Sequence, residues 1–277
     1  MKKIFLSLAL AVSVMASAQV FEVGQLTKLN TPTDTDVKVA GVSADGSYVL
    51  ITSGSNQGLR RYDVATGKTT TITTAAGAGY NVQISKDGQE LVYRETSFDA
   101  QGLRKNNIIR HDLATAKTAT VAKAQRDMKA MVNTGANVSV SINDRKIVLN
   151  KNGKNIILAP NGSNESYIWP SVSPDGTKLC YYVCGNGCWV ANLDGSGKQY
   201  IGHGVQAAKW YDNNTLVAMD AEDDGHFTTA SAVVVYTLDG KKQVLTNGSM
   251  IAMYPHVANN VIVFSTLDGE TYMLNVK

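Results

Sequence analysis

Short, strongly β-forming runs recur along this chain, each set off by a tight turn of glycine, aspartate or asparagine. The stretch from Ser171 to Asn192 shows the pattern most clearly. Apolar and polar positions alternate into Ser173, and Pro174-Asp175-Gly176 supplies a turn. Lys178 to Cys184 reads as a second strand, Gly185-Asn186-Gly187 as a hairpin loop and Cys188 to Asn192 as a third strand. Asp194-Gly195-Ser196-Gly197 then turns the chain into an outer strand near Gln199 to Ile201. The period is that of strands, with no helical repeat within a unit.

The same phrase returns five more times. Anchored on the glycine position of the turn, the copies fall at Gly46, Gly88, Asp144, Gly176, Asn213 and Asn259, at intervals of 42, 56, 32, 37 and 46 residues. Every replacement of the glycine is Asp or Asn, the side chains that best tolerate left-handed backbone. A second motif closes the third strand of several units: "RYDVATGK" from Arg61, "RHDLATAK" from Arg110 and "VYTLDGKK" from Val235. Four-stranded units at this spacing predict an all-β fold, a six-bladed β-propeller with antiparallel blades. The last unit stops after three strands, and "FEVGQLTKLN" from Phe21 to Asn30 supplies the missing one. The N-terminal strand is therefore predicted to pair with the last blade and close the ring, which removes two exposed sheet edges. The longest interval holds a surplus at Ala122 to Ala136, predicted to be a short helix or ordered loop inserted at the surface.

The ends and the charge add a compartment. Lys2 and Lys3, an apolar run from Ile4 to Met15 and Ala16-Ser17-Ala18 form a secretory signal peptide over residues 1–18. Residues 19–277 then form one propeller domain, expected in the periplasm or outside the cell as a monomer without membrane insertion. No cysteine follows the apolar run closely enough for a lipid anchor. Without the leader the balance is 24 basic against 23 acidic side chains, which gives no electrostatic reason to expect nucleic acid.

"SVSPDGTKLCYYV" and "CWVANLDGSGKQYIG" resemble the WD-like repeats of the TolB-type six-bladed propeller. Similar blades occur beside the hydrolase of prolyl oligopeptidases and in some bacterial pectin-fragment lyases. The resemblance implies the fold, but a propeller is a scaffold that hosts many functions. TolB carries an α/β domain ahead of its propeller, for which this chain leaves no length.

Candidate chemistry is sparse. There is no G-x-S-x-G nucleophile elbow. "GSGK" from Gly195 lacks the first glycine of a phosphate loop and reads as a turn. His111, His203, His226 and His256 lie in four different units, so a metal centre would need the ring to gather them. Asp220, Glu222, Asp223 and Asp224 offer clustered oxygens for calcium, although solvated loop carboxylates are commoner. The expectation is no cofactor and no metal. The cysteines stand at 180, 184 and 188; Cys184 and Cys188 flank a hairpin loop and are predicted to face each other as a cross-strand disulfide, leaving Cys180 buried.

The inner strands carry the remaining signal. Counted back from each anchor, one column is mainly apolar (Val172, Pro170, Ile84, Val82, Lys209, Ala207) and is predicted to pack between blades. The alternate column is rich in amides and aromatics and is predicted to face the central channel. Its ligand-binding candidates are Asn81, Asn137, Trp169, Gln206 and Tyr254, with Tyr80 extending it. The leading reading is a non-enzymatic binding module whose central mouth engages a protein segment or an envelope glycan. The alternative is a small propeller enzyme, a lyase or hydrolase acting on a polysaccharide fragment through a histidine or metal centre in the channel.

Overall fold

A computed structural model describes residues 19–32, 36–125 and 138–277. The segment 1–18 predicted as a signal peptide, Asn137 and residues 126–136 of the predicted insertion lie outside the described residues. The chain opens with β1 (Val23–Leu29). The first blade is β2 (Val37–Val42), β3 (Tyr48–Ser53), β4 (Leu59–Asp63) and β5 (Thr69–Thr73). The second is β6 (Gln83–Ile84), β7 (Glu90–Phe98), β8 (Arg104–Asp112) and β9 (Thr118–Gln125). The third has β10 (Val138–Asn143), β11 (Lys146–Lys151) and β12 (Lys154–Leu158). The fourth is β13 (Tyr167–Val172), β14 (Lys178–Val183), β15 (Gly187–Asn192) and β16 (Gln199–Gly202). The fifth is β17 (Val205–Trp210), β18 (Thr215–Asp223), β19 (Thr228–Thr237) and β20 (Lys242–Val244). The sixth is β21 (Ala252–Ala258), β22 (Val261–Thr266) and β23 (Thr271–Val276), completed by β1.

This is the six-bladed propeller that the repeats predict, and no helix occurs among the described residues. The third blade is the thinnest. Its anchor interval is the shortest of the five, and where an outer strand would run, Pro160-Asn161-Gly162 forms a loop. That loop is held from the fourth blade: the Tyr167 hydroxyl donates to Gly162 O at 3.1 Å, and the Tyr181 hydroxyl to Asn161 Oδ1 at 2.8 Å.

The turns work as their chemistry demands. In the fourth blade Gly176 sits at φ 69°, and its N–H donates to Ser173 O at 2.8 Å. Ser173 Oγ accepts from Lys178 N at 2.9 Å, and Asp175 Oδ1 accepts from Thr177 N at 3.1 Å. Gly46, Gly88 and Asp144 take the same left-handed backbone, whereas in the last blade it falls on Asn260, one residue beyond the expected Asn259. Asn213 does not adopt it; its Oδ1 instead accepts the N–H of Asp175 at 2.9 Å, tying the fifth blade to the fourth. The Tyr48 hydroxyl, donating to Gly88 O at 2.9 Å, ties the first blade to the second in the same way.

Apolar packing lies mainly between blades. Tyr48, Leu50 and Leu59 of the first blade meet Leu91, Tyr93 and Ile109 of the second, all within 5 % of full burial. Inner strands touch in succession from the third blade to the sixth, β2 of the first blade touches β6 of the second, and β2 also touches β21 of the sixth.

Closure is antiparallel. Val23 pairs with Val276, Leu26 with Leu274 and Leu29 with Thr271, and Glu22 and Lys277 exchange both backbone bonds at 2.9 and 3.0 Å. Most of β1 is exposed, so its grip is a hydrogen-bond ladder rather than burial. The apolar anchors are Leu29, buried against Val37, Val39 and Met273, and Phe21, 7 % exposed among Val217, Val233, Leu245 and Phe264, with its ring 4.5 Å from that of Tyr211. Gln243 on β20 clasps the same segment, accepting from Val20 N and Phe21 N at 2.7 Å each and donating to Phe21 O at 2.9 Å. The N-terminal segment thus fastens the sixth blade to the fifth as well as completing it. Deleting residues 21–30 is expected to cause loss of solubility or a large drop in thermal midpoint, and Phe21→Ala alone to cost about 3 kcal/mol in chemical denaturation. A deletion variant that stays monomeric and equally stable would contradict closure by the N-terminal strand.

Candidate functional site

Every inner strand begins at the end of the ring where one blade hands over to the next, the end we call the mouth. Midway along, the fourth, fifth and sixth blades carry the same irregularity. The pairing slips between Ile168 and Ser171, between Gln206 and Lys209 and between Met253 and His256, so two residues oppose one. The first residue of each bulge is left-handed: Trp169 at φ 49°, Ala207 at 51° and Tyr254 at 53°, with Asn81 at 53° just ahead of β6. A bulge of this kind bends its strand and re-aims the side chains that follow. Because Ala207 and Asn81 share the conformation, it belongs to the blade architecture. Two of the four places are filled by large aromatics, which left-handed backbone disfavours.

These bulges bring part of the predicted site together. Trp169, Met253 and Tyr254 are half-buried and pack on Ala207, Met219 and Ala221, so three blades meet there. Trp169 meets Tyr182 edge-on at 5.5 Å between ring centroids. Gln206 adjoins the bulge residue Ala207 and pairs with Met219. Asn81 and Tyr80 belong to the second blade. Both are exposed, and the Arg94 guanidinium lies 4.0 Å over the Tyr80 ring.

Three basic residues stand at this level: Lys38, which the sequence did not single out, Lys209, which it placed in the packing column, and His256, which it weighed only as a metal ligand. Lys38 Nζ stands 5.2 Å from the centroid of the Tyr254 ring. Lys209 and His256 occupy the first paired position after their bulges, equivalent to Ser171. Burial, then the charges of Lys209 and Lys38, push the His256 imidazole down to about 3, so it is neutral in ordinary conditions. Burial also lowers both lysines, opposed at Lys209 only by Cys180. Lys209 and His256 are crowded by protein yet retain some solvent contact, as expected of side chains lining a narrow wet channel.

Lys209 was expected between blades, in the apolar column, and the turns explain the correction. The cross-strand partners Ser171 and Cys180 are nine residues apart, Lys209 and Val217 eight, His256 and Val263 seven. The turn shortens by one residue from each blade to the next. A fixed count back from the anchor therefore slips, and a slip of one exchanges the two faces of a strand.

The cysteine pairing is also corrected. The ladder ends with Tyr182 opposite Cys188 and Val183 opposite Gly187, so Cys184 lies in the exposed loop and does not face Cys188. The near neighbour of Cys188 is Cys180, at 3.5 Å between sulfurs, and both are buried. The histidines stay apart: His111 is buried on β8, while His203 and His226 are exposed. The acidic run is occupied by turn and pair chemistry. Asp224 Oδ1 accepts from His226 N and Phe227 N at 2.9 and 2.8 Å, and Asp220 pairs with Lys242 and the Tyr236 hydroxyl. Among the described residues no group of three or more His, Cys, Asp or Glu is placed to hold a metal ion. A recess of about 280 Å³ opens at the opposite end of the inner strands, lined by Ala44, Trp210, Tyr211, Val257, Ala258 and Asn259.

No family model matches the chain, and no curated protein matches it by sequence. Solved structures match it by fold. A putative TolB from Agrobacterium tumefaciens superposes with a TM-score of 0.58 at 17% identity, over 87% of this chain and 90% of that one. An oligogalacturonate lyase in complex with manganese gives 0.52 at 14%, over 85% and 76%. The β-propeller domain of Swd1 from Myceliophteria thermophila gives 0.54 at 9%, over 91% and 100%. At such identities the likeness is one of fold alone, a fold shared by proteins of unlike function.

The register makes one checkable statement about the thiols. Alkylation of the native, reduced protein is expected to modify Cys184 alone, with Cys180 and Cys188 reacting only on unfolding. Cys180 or Cys188 modified at the rate of Cys184 in the native state would contradict the register of β14 and β15.

Proposed function

We propose that this propeller is a binding module whose central mouth engages a segment of a protein partner in the periplasm or outside the cell. The observation that supports it is the composition of the mouth at the bulges. Trp169 and Tyr254 supply apolar area held on rigid strands, and Gln206 beside them supplies both a donor and an acceptor. Each bulge also leaves a residue out of the ladder, so backbone groups at this level are not all consumed within the blade. An extended peptide, with donors and acceptors alternating along it, suits such a wall.

The alternative, a small enzyme acting on a polysaccharide fragment, draws on one observation: a neutral imidazole at His256 beside a lysine in the channel. Incubation with acidic oligosaccharides that releases no new chain ends would retire it.

The test is a pull-down from envelope extract with wild type and Trp169→Ala in parallel, followed by affinity measurement on any protein captured. Buried aromatics at interface centres often contribute 2 kcal/mol or more. Trp169→Ala is expected to weaken binding by about 30-fold or more with little change in melting temperature. Equal losses of stability and binding would make Trp169 ordinary packing, and unchanged binding would move the site away from the mouth.

A further inference from the structure

The ion pairs of this molecule are unevenly placed. At the surface, Lys28 pairs with Glu270, Lys105 with Asp99, Lys241 with Asp239 and Lys242 with Asp220. Inside the ring the opposite holds. β21 of the sixth blade lies against both β2 and β17; Lys38 on β2 reaches to 5.2 Å from the ring centroid of Tyr254, two residues before His256, and Lys209 on β17 holds the position equivalent to His256. Among the described residues neither ammonium has a carboxylate partner, and only the Tyr254 ring faces Lys38. An ammonium crowded by protein and left unpaired is a costly arrangement, and an apolar side chain of the same length would fill the site better. Both lysines donate and accept nothing, so what completes them is an anion with oxygen acceptors. Among the described residues neither an arginine fork nor a helix N-terminus, the usual means of gripping phosphate, lies beside them. Two ammonium point charges beside a neutral imidazole suit a carboxylate.

The rim indicates what carries it. β7 and β18 run nine residues each, against six for the equivalent β3, β11, β14 and β22, so two hairpins rise above the others on the mouth side. They belong to the second and fifth blades, which face each other across a six-bladed ring. Their tips expose Phe98, Leu103 and Phe227, at 68, 60 and 74 %. Paired apolar tips over a cationic floor fit an extended chain that is apolar at its ends and acidic between them.

We propose that Lys38 and Lys209 form a carboxylate-binding floor, receiving an acidic side chain of the protein segment that the two hairpins flank. This rests on the reading of the mouth as a peptide site and names the chemistry of its occupant. The probes are acetyl-Phe-Gly-Glu-Gly-Phe-amide and its Gln counterpart, titrated by calorimetry or protein NMR into wild type, Lys38→Met, Lys209→Met and Trp169→Ala. The Glu peptide is expected to bind wild type at least about tenfold more tightly than the Gln peptide. That preference is expected to vanish in either lysine variant, with a thermal midpoint equal to or above that of wild type. Should Lys209→Met fail to fold, Lys38→Met reads the same ratio. Equal affinity for the two peptides, a preference that survives in both lysine variants, or binding of acidic oligosaccharide or inorganic phosphate but of neither peptide, would overturn the floor. If Trp169→Ala weakens both peptides while the lysine variants leave their ratio unchanged, the floor falls and the mouth stands.

Discussion

Everything at the mouth depends on one seam, the pairing of β1 with β23. Trp169, Gln206, Lys209, Tyr254 and His256 come from three consecutive blades, and Lys38 joins them only because the first blade lies against the sixth. That contact exists when the ring is closed. Most of β1 is exposed, so the seam holds through its backbone ladder, the Lys28–Glu270 pair and two buried side chains at its ends, Phe21 and Leu29. Gln243 adds a grip on the fifth blade. Elsewhere, turn-to-turn hydrogen bonds such as Tyr48 to Gly88 and Asp175 to Asn213 fix neighbouring blades at a set spacing. The bulges therefore fall at one level.

The fold was legible in the chain because its determinants are local and repeated. A turn that needs left-handed backbone, followed by an alternating strand, can be recognised from a few residues, and six copies at a propeller's spacing leave little choice of architecture. The orphan strand at Phe21 to Asn30 announced closure for the same reason: its partner was missing at the other end. The place of Trp169 and Tyr254 on inner strands was legible as well, since aromatics there stand out in any register.

What stayed hidden depends on counting. Lys209 was assigned to the packing face because the turn of its blade is one residue shorter than that of the fourth, and the sequence does not mark where a bulge adds a residue and a turn drops one. Cys184 and Cys188 were paired across a loop whose ladder closes at Val183 and Gly187. The Lys209 error is a single residue of register, which in a strand is enough to exchange inside for outside; the cysteine error is two residues, since Tyr182 and not Cys184 stands opposite Cys188. The signal that would have found Lys209 is physical: a lysine on the inner strand of a blade with no acidic residue opposite it.

The convergence of Lys38, Lys209 and His256 is the most specific consequence of ring, bulge and register together, and His256 reports on it directly. Its folded-state titration is held down to about 3 by burial and by the two lysines, against 6.5 for a free side chain. The unfolded chain takes up this proton as pH falls through 6.5 while the folded protein does not. The stability contribution is therefore present above 6.5 and is lost progressively down to about 3. The decisive measurement is the NMR titration of the His256 ring, assigned by comparison with a His256→Gln variant. The account predicts a neutral imidazole that does not titrate between pH 8 and roughly 4. A midpoint near the ordinary histidine value would mean that His256 is neither buried in the ring nor close to the two lysines, and that the channel is not built as described.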